Sequence, residues 1–419
     1  MPVTRGGTAL RDAITAHFGA TPPERLAVAV SGGSDSLALL HILHDWSRAG
    51  GPGLCAVTVD HRLRPEAADE ARAVAALCRG LGIAHDTLEW RDRDPRGNLA
   101  DAARRARYAL MADWAAARGI ADIALGHTVD DQAETLLMRL ARQAGVDGLA
   151  AMSARRRQDD VTFHRPALGL TRAALRADLA RRGVAWIDDP GNDDDARRRT
   201  LARRALADLA PLGLDAEGLA QVAAHLAEAR QTLGHYASLE AARIADFPMG
   251  DVTLERAGFD ALRPDIARRI LQAALRWISG EGYGARGAAV DRALAAIRAG
   301  QALTLQGCIL SAGDAHIRIG REPAAVAATR CAPGQDWDGR WHLEGPAAPG
   351  MELRALGPEG RALCPGWRET GLPRASIEAS PSVWQDDRLI AAPLAGRPNG
   401  WSAVLRREPA HFHALLLSH

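Results

Sequence analysis

The sequence predicts an α/β protein, a doubly wound parallel sheet carrying a phosphate-holding turn, followed by a helical region and a small C-terminal region with β-structure. Three observations carry this prediction. Four short apolar runs, Leu26–Val30, Leu54–Val59, Ile83–Leu88 and Asp122–Leu125, alternate with helical periodicity over Leu37–Ala49, Pro65–Leu81 and Leu99–Arg118. The hexapeptide Ser31-Gly32-Gly33-Ser34-Asp35-Ser36 lies between the first run and the first of these helices. Composition then shifts, to Ala/Leu/Arg-rich from about Leu206 and to Pro, Gly and Trp from about Glu322. A chain of 419 residues is too long for one ordinary core, so we expect three parts, 1–205, 206–321 and 322–419.

The apolar runs are buried parallel strands, and their connections are right-handed crossovers. Ligands of open sheets bind beyond the carboxyl ends of the strands, where the hexapeptide, Asp60-His61 and Gly126-His127 converge. Next come a helix over Asp130–Ala144, a glycine turn and a hairpin up to Phe163. Thr171 caps a helix that Gly183 ends, and residues 184–189 read as a short strand. Residues 206–299 read as helical, and Ser382–Ile390 as one of several short alternating runs.

Hydrophobic residues make up 47% and charged residues 25%, and no apolar run is long enough to span a bilayer. No charged-then-apolar leader opens the sequence, so a cytoplasmic protein without a membrane partner is expected. Cys55, Cys78, Cys308, Cys331 and Cys364 lie far apart without zinc spacing, which predicts reduced thiols and no structural metal. The net charge of +1 decides nothing about nucleic acid, since a local patch suffices. Two patches exist, Arg155–Arg157 and Arg197, Arg198, Arg199, Arg203 and Arg204. Without other clues each is a solvated face. The chain contains no lysine, which excludes a P-loop lysine and a Schiff base.

The hexapeptide fits neither the dinucleotide fingerprint nor a Walker A loop. Its glycines let backbone approach a ligand, and helix-start N–H groups with small hydroxyls favour phosphate. A carboxylate beside a triphosphate repels it unless a cation intervenes, so Asp35 is a candidate Mg²⁺ ligand. Gly126-His127-Thr128-Val129-Asp130-Asp131-Gln132-Ala133-Glu134 is the second strong signal. One aspartate there suits an N-cap; the remainder points to Asp131 holding Mg²⁺ or orienting an attacking amine, with Glu134 one turn behind. Arg104 and Tyr108 share a helix face, and an arginine there suits a leaving pyrophosphate.

The hexapeptide resembles the pyrophosphate (PP) loop of the ATP pyrophosphatase superfamily, enzymes with the adenine-nucleotide α-hydrolase-like fold that cleave ATP between its α and β phosphates. Further motifs occur in matching order: Val59-Asp60-His61, Ala103-Arg104 with Arg107-Tyr108, Asp130 to Thr135, Gly148 to Met152, Arg165-Pro166, and Trp186 to Pro190 with Asn192. Together they resemble the bacterial tRNA(Ile)-lysidine synthetases over residues 26–204, with a weaker echo at Leu303–Cys308.

The resemblance implies a ligase that uses ATP and Mg²⁺ to adenylate the wobble cytidine of the CAU anticodon of tRNA(Ile), then joins free L-lysine to it. It implies an ATP site of Ser31, Gly32, Gly33, Ser34, Asp35, Ser36, Asp60, His61, Gly126 and His127. It gives catalytic roles to Asp35, Asp131 and Arg104, metal contact to Asp35 and Asp131, and lysine contact to Asp131 and Glu134. Arg198, Arg199 and Arg203 would face tRNA, as would the two later regions, and a homodimer is admitted. Ala100 stands where the family usually has Glu, Gln143 replaces a glycine, and Leu201 an arginine. A tRNA thiolase would need sulfur-carrying cysteines, a small-molecule synthetase no arginine-rich face, and an inactive tRNA-binding protein no intact Asp35 and Asp131.

Overall fold

The computed structural model describes residues 5–62, 66–91, 99–158, 160–187, 194–282 and 284–417, which divide into two compact units, 1–230 and 231–419. In the first unit, α1 (Arg5–Ala16) precedes β1 (Arg25–Ala29), α2 (Ser34–Arg48), β2 (Gly53–Asp60), α3 (Ala67–Leu81) and β3 (Ala84–Glu89). There follow α4 (Leu99–Ala116), β4 (Asp122–Leu125), α5 (Val129–Leu140), the single turn α6 (Val146–Leu149), and the hairpin of β5 (Arg155–Gln158) and β6 (Val161–His164). The unit continues through α7 (Arg172–Arg182) and α8 (Asp194–Leu209) into α9 (Ala216–Ile244).

The sheet order is β3-β2-β1-β4-β6-β5, parallel except for β5, which runs antiparallel to β6. Each strand alternates its side chains between two layers. Leu26, Val28 and Val30 pack with α1, α2, α3 and α7, whereas Ala27, Val57, Ile123 and Leu125 pack with Tyr108, Met111 and Ala112 of α4. The sheet is therefore covered on both faces, as expected. The hairpin ending near Phe163 is also present, and its second strand extends the parallel sheet beyond β4.

Residues 184–187 differ from the expected strand; 188 and 189 lie outside the described residues. Their donors are committed elsewhere. Val184 N–H closes the end of α7 on Leu179 O at 3.0 Å, and Ile187 N–H donates to Gly32 O at 3.0 Å. The apolar run thus lies over the phosphate loop instead of pairing with a strand. Thr171 Oγ1 does accept from Ala174 N, at 3.2 Å, and Gly183 closes α7 in the left-handed conformation.

A relay ties α1 to the sheet: His17 Nε2 lies 3.0 Å from His164 Nδ1, and His164 Nε2 lies 2.7 Å from Asp122 Oδ1. Burial, with His164 and Arg155 nearby, lowers His17 from 6.5 to about 4; burial also lowers His164, against the pull of Asp122. Folded His17 therefore binds fewer protons than unfolded His17. The stability this gives is present above pH 6.5 and is lost as pH falls towards 4. We expect the unfolding temperature to drop across that window, and a His17→Gln variant to show a shallower drop in scanning calorimetry.

In the second unit, β7 (Ala245–Asp246) and β8 (Val252–Glu255) interrupt the region that reads as helical. They join β9 (Leu303–Leu305), β10 (Cys308–Ala312) and β11 (His316–Arg321) in an antiparallel sheet ordered β7-β8-β11-β10-β9. Val252 and Leu254 point into a core shared with the helix Pro264–Ser279, which overrides the helical composition around them. The Leu303–Cys308 echo spans β9, the tight Gln306-Gly307 turn and the first residue of β10. Beyond it lie a four-stranded and a two-stranded antiparallel sheet, including Pro381–Gln385 and Arg388–Ala391. No helix among the described residues is long and apolar enough to cross a membrane.

Candidate active site

The phosphate loop is self-braced. Ser31 N–H donates to Ser36 Oγ at 3.1 Å, and that hydroxyl donates to Gly33 O at 3.0 Å. Gly32 adopts φ +85°, and a Cβ there would sit 3.0 Å from Ile187 Cδ1, so this position needs glycine twice over. Gly33 caps α2, leaving the first-turn N–H groups and Asp35 at the edge where the parallel strands end.

The second loop touches the first through Gly126. A Cβ on Gly126 would stand 2.9 Å from both the N and Cα of Ser36, which is backbone that cannot swing aside. Gly126→Ala is thus expected to pry the loops apart, costing about 1–3 kcal/mol of stability. ATP affinity should fall at least tenfold as the loop shifts, about 1.4 kcal/mol, as read by calorimetric titration.

Thr128 starts α5, and Asp131 has two tasks. Its Oδ2 accepts from Thr128 N at 2.8 Å and Thr128 Oγ1 at 2.9 Å, while Oδ1 accepts from Arg172 Nη2 at 3.0 Å. Arg172 opens α7 and also reaches Asp35 Oδ2 through Nε at 2.8 Å and Glu134 Oε1 through Nη1 at 3.2 Å. Its backbone N–H donates to Asp130 Oδ2 at 2.7 Å. Arg203 Nε adds a second guanidinium to Glu134 Oε1 at 2.7 Å, whereas Glu134 Oε2 is buried with no hydrogen-bond partner among the described residues. Burial raises Asp35 above the usual carboxylate range, opposed by Arg172 and reinforced by Asp131. Burial weighs against the Arg172 charge, but Asp131, Asp35 and Glu134 outweigh it and raise Arg172 above its ordinary value.

A region of opposite sign surrounds Tyr108. Arg165 donates through Nη2 to the Tyr108 hydroxyl at 3.1 Å, and the guanidinium carbons of Arg104, Arg107 and Arg156 lie 5.6, 5.5 and 4.7 Å from its ring centre. Burial would raise the phenol, yet Arg165, Arg107 and Arg104 pull it down to about 8. His127 is held well below 6.5, first by burial and then by Arg165, Arg107, Arg104 and Arg199. Arg107 Nε, Arg165 Nε and His127 Nδ1 are buried without hydrogen-bond partners among the described residues. Like charges gathered with unused donors describe an anion site.

The structure brings Asp35, Asp131, Glu134 and Arg203 together, and places Arg104, His127 and Arg199 in the cationic region. Arg198 is exposed, and the Arg197 side chain lies outside the described residues. Asp60 Oδ1 accepts from Arg62 N at 2.7 Å and shapes its turn, and His61 stands edge-on to Trp90. Gly148 to Met152 are scaffold: Gln132 exchanges two hydrogen bonds with the Met152 backbone, and Arg139 holds Gly148 O and Ala151 O.

Sequence reasoning missed Arg172 and gave no role to Arg107 or Arg165. Arg172 follows an N-cap like many surface arginines, and its partners lie 137 and 41 residues away. Only the Arg165-Pro166 and Arg107-Tyr108 motifs offered a signal.

Asp35 and Asp131 do not form a metal cage here, because one guanidinium bridges them and no group of three His, Cys, Asp or Glu side chains among the described residues is placed to hold an ion. Mg²⁺ needs only one or two carboxylates when phosphate oxygens and water complete its shell, which these residues fit. Burial pushes the Cys78 thiol up to about 11 and also raises Cys55, so neither is primed as a thiolate for sulfur transfer.

Residues 8–210 match the PP-loop domain family. A tRNA(Ile)-lysidine synthase of Ruegeria pomeroyi is 50% identical over 419 residues, 100% of both chains. Another, from a Bradyrhizobium strain, is 39% identical over 71% of this chain and 90% of its own. Among solved structures, the U34-tRNA thiolase of Methanococcus maripaludis aligns with a TM-score of 0.47 at 15% identity, over 53% of this chain and 79% of that chain, too loosely to bear on function. With the phosphate loop, the acidic cluster and full-length identity in agreement, the chain belongs to the tRNA(Ile)-lysidine synthase family of PP-loop, ATP-dependent ligases.

Proposed function

We propose that this chain converts the wobble cytidine of the CAU anticodon of tRNA(Ile) to lysidine with ATP and free L-lysine. The C2 carbonyl oxygen attacks the α-phosphorus of ATP and pyrophosphate leaves. A lysine amine then attacks C2, loses a proton, and expels the oxygen as AMP. Adenylation is needed because that oxygen is a poor leaving group until it becomes a phosphate ester.

The observation that carries this reading is a pair of clusters of opposite sign on the two sides of the Gly126–Asp131 turn. Carboxylates of Asp35, Asp131 and Glu134 gather on Arg172, and Arg104, Arg107 and Arg165 surround a neutral His127. The phosphate loop, with Asp60, His61, Gly126 and His127, holds ATP, and the arginines stabilise charge growing on pyrophosphate. Asp131 and Glu134 take the cationic lysine, and the unused Glu134 Oε2 is a ready acceptor. Mg²⁺ held by Asp35 and Asp131 with phosphate oxygens would neutralise triphosphate charge. The test is cytoplasm-like buffer, a CAU-anticodon transcript, ATP-Mg²⁺ and labelled lysine. Label in the RNA is expected with this anticodon and not with a non-cytidine wobble base; none in either overturns the reading.

Arg198 and Arg199, with regions 206–321 and 322–419, hold tRNA phosphates, whereas Arg203, the third arginine expected to face tRNA, is engaged by Glu134. Arg198→Ala with Arg199→Ala is expected to flatten the salt dependence of tRNA binding by about one to two units of log–log slope. Arg203→Ala should instead leave that slope unchanged and tighten lysine use, because its Nε seats a second cation on Glu134. A filter-binding series in salt reads the first and lysine KM the second.

A further inference from the structure

Asp35 and Asp131 are joined by a single side chain, Arg172, whose guanidinium spends its three nitrogens on three carboxylates. The Arg172 side chain is only 16% exposed and Glu134 is 2% exposed, so little water screens this cluster. An ammonium seeking the same oxygens meets a like charge already seated there. One turn along the helix, Arg176 Nε donates to Ser34 Oγ at 3.1 Å. Both arginines thus stand at the phosphate loop, Arg172 through Asp35 and Arg176 through Ser34. A polyphosphate in that loop offers Arg172 anionic acceptors within reach of its flexible stem.

We propose that Arg172 is an internal cation occupying the place of the substrate lysine, and that ATP draws it onto the phosphates, freeing Asp131 Oδ1 to bind lysine beside Glu134, whose Oε1 stays with Arg203 and whose Oε2 is open. This rests on the reading of those carboxylates as the lysine site. Arg172 is a positioning residue that makes the two substrates bind cooperatively, ATP opening the site and lysine tightening ATP by the same factor. Its guanidinium also keeps the carboxylates from repelling one another before lysine arrives.

The experiment is calorimetric titration of lysine into the full-length protein in Mg²⁺ buffer, with and without α,β-methylene ATP, which offers the phosphates but cannot adenylate. The parent is expected to bind lysine about tenfold or more tightly with the analogue. In Arg172→Gln, lysine should bind without the analogue, and the ratio should shrink to about threefold or less. Arg172→Met, of similar length and no charge, serves if the glutamine variant does not fold. Equal lysine affinity with and without the analogue in the parent overturns the proposal. So does a ratio that persists in the variants, since direct attraction between phosphate and ammonium would then explain it. Lysine binding in the presence of the analogue that Asp131→Asn leaves unchanged instead overturns the lysine-site reading, and the proposal with it.

Discussion

Asp131→Asn is expected to cut lysine incorporation by about 100-fold or more while ATP still binds. Both Asp131 oxygens accept hydrogen bonds, Oδ2 from Thr128 and Oδ1 from Arg172. An asparagine must turn its NH₂ towards one of these donors. If it faces Thr128, the start of α5 loses its acceptor; if it faces Arg172, a guanidinium meets a donor in a poorly hydrated cluster. In either case the negative charge that holds an ammonium is gone. Single-turnover lysine transfer measured beside ATP titration separates the two functions, and equal transfer in variant and parent would exclude Asp131 from the reaction.

Arg107→Ala should slow adenylation by about 10²–10³-fold with no loss of stability. Arg107 is held below its ordinary value by burial, opposed by Tyr108 and reinforced by Arg104 and Arg199. Removing one of several clustered cations relieves repulsion, so the unfolding temperature should stay level or rise, the signature of a group kept for function. Arg104→Ala should act the same way on ATP–pyrophosphate exchange, leaving tRNA affinity nearly intact. Normal exchange with poor RNA binding would reassign these arginines to the RNA.

The first unit was legible because its signals are local. Apolar runs of strand length, a glycine turn after the first and an aspartate-rich helix start after the fourth each need only neighbours in sequence. Their convergence followed from strand direction alone. What stayed hidden depends on distant partners. Val184 to Ile187 alternate like a strand, but their donors are claimed by Leu179 and Gly32. Arg172 gains its meaning from carboxylates on two other helices. Asp131 shows that capping and function need not be alternatives, because one carboxylate has two oxygens. In the second unit, β8 sits in Ala- and Arg-rich sequence and is fixed by pairing with β11, more than sixty residues later in the chain.

The arginines of β5 have a consequence apart from catalysis and RNA. This strand forms the outer border of the first unit's sheet, with a row of backbone donors and acceptors along its free side. Arg155 and Arg157 are exposed, while Arg156 turns back over Tyr108. A second molecule docking the same strand there would bring two sets of guanidinium groups together in a narrow ribbon. Such repulsion would oppose growth of the sheet by strand addition at this border.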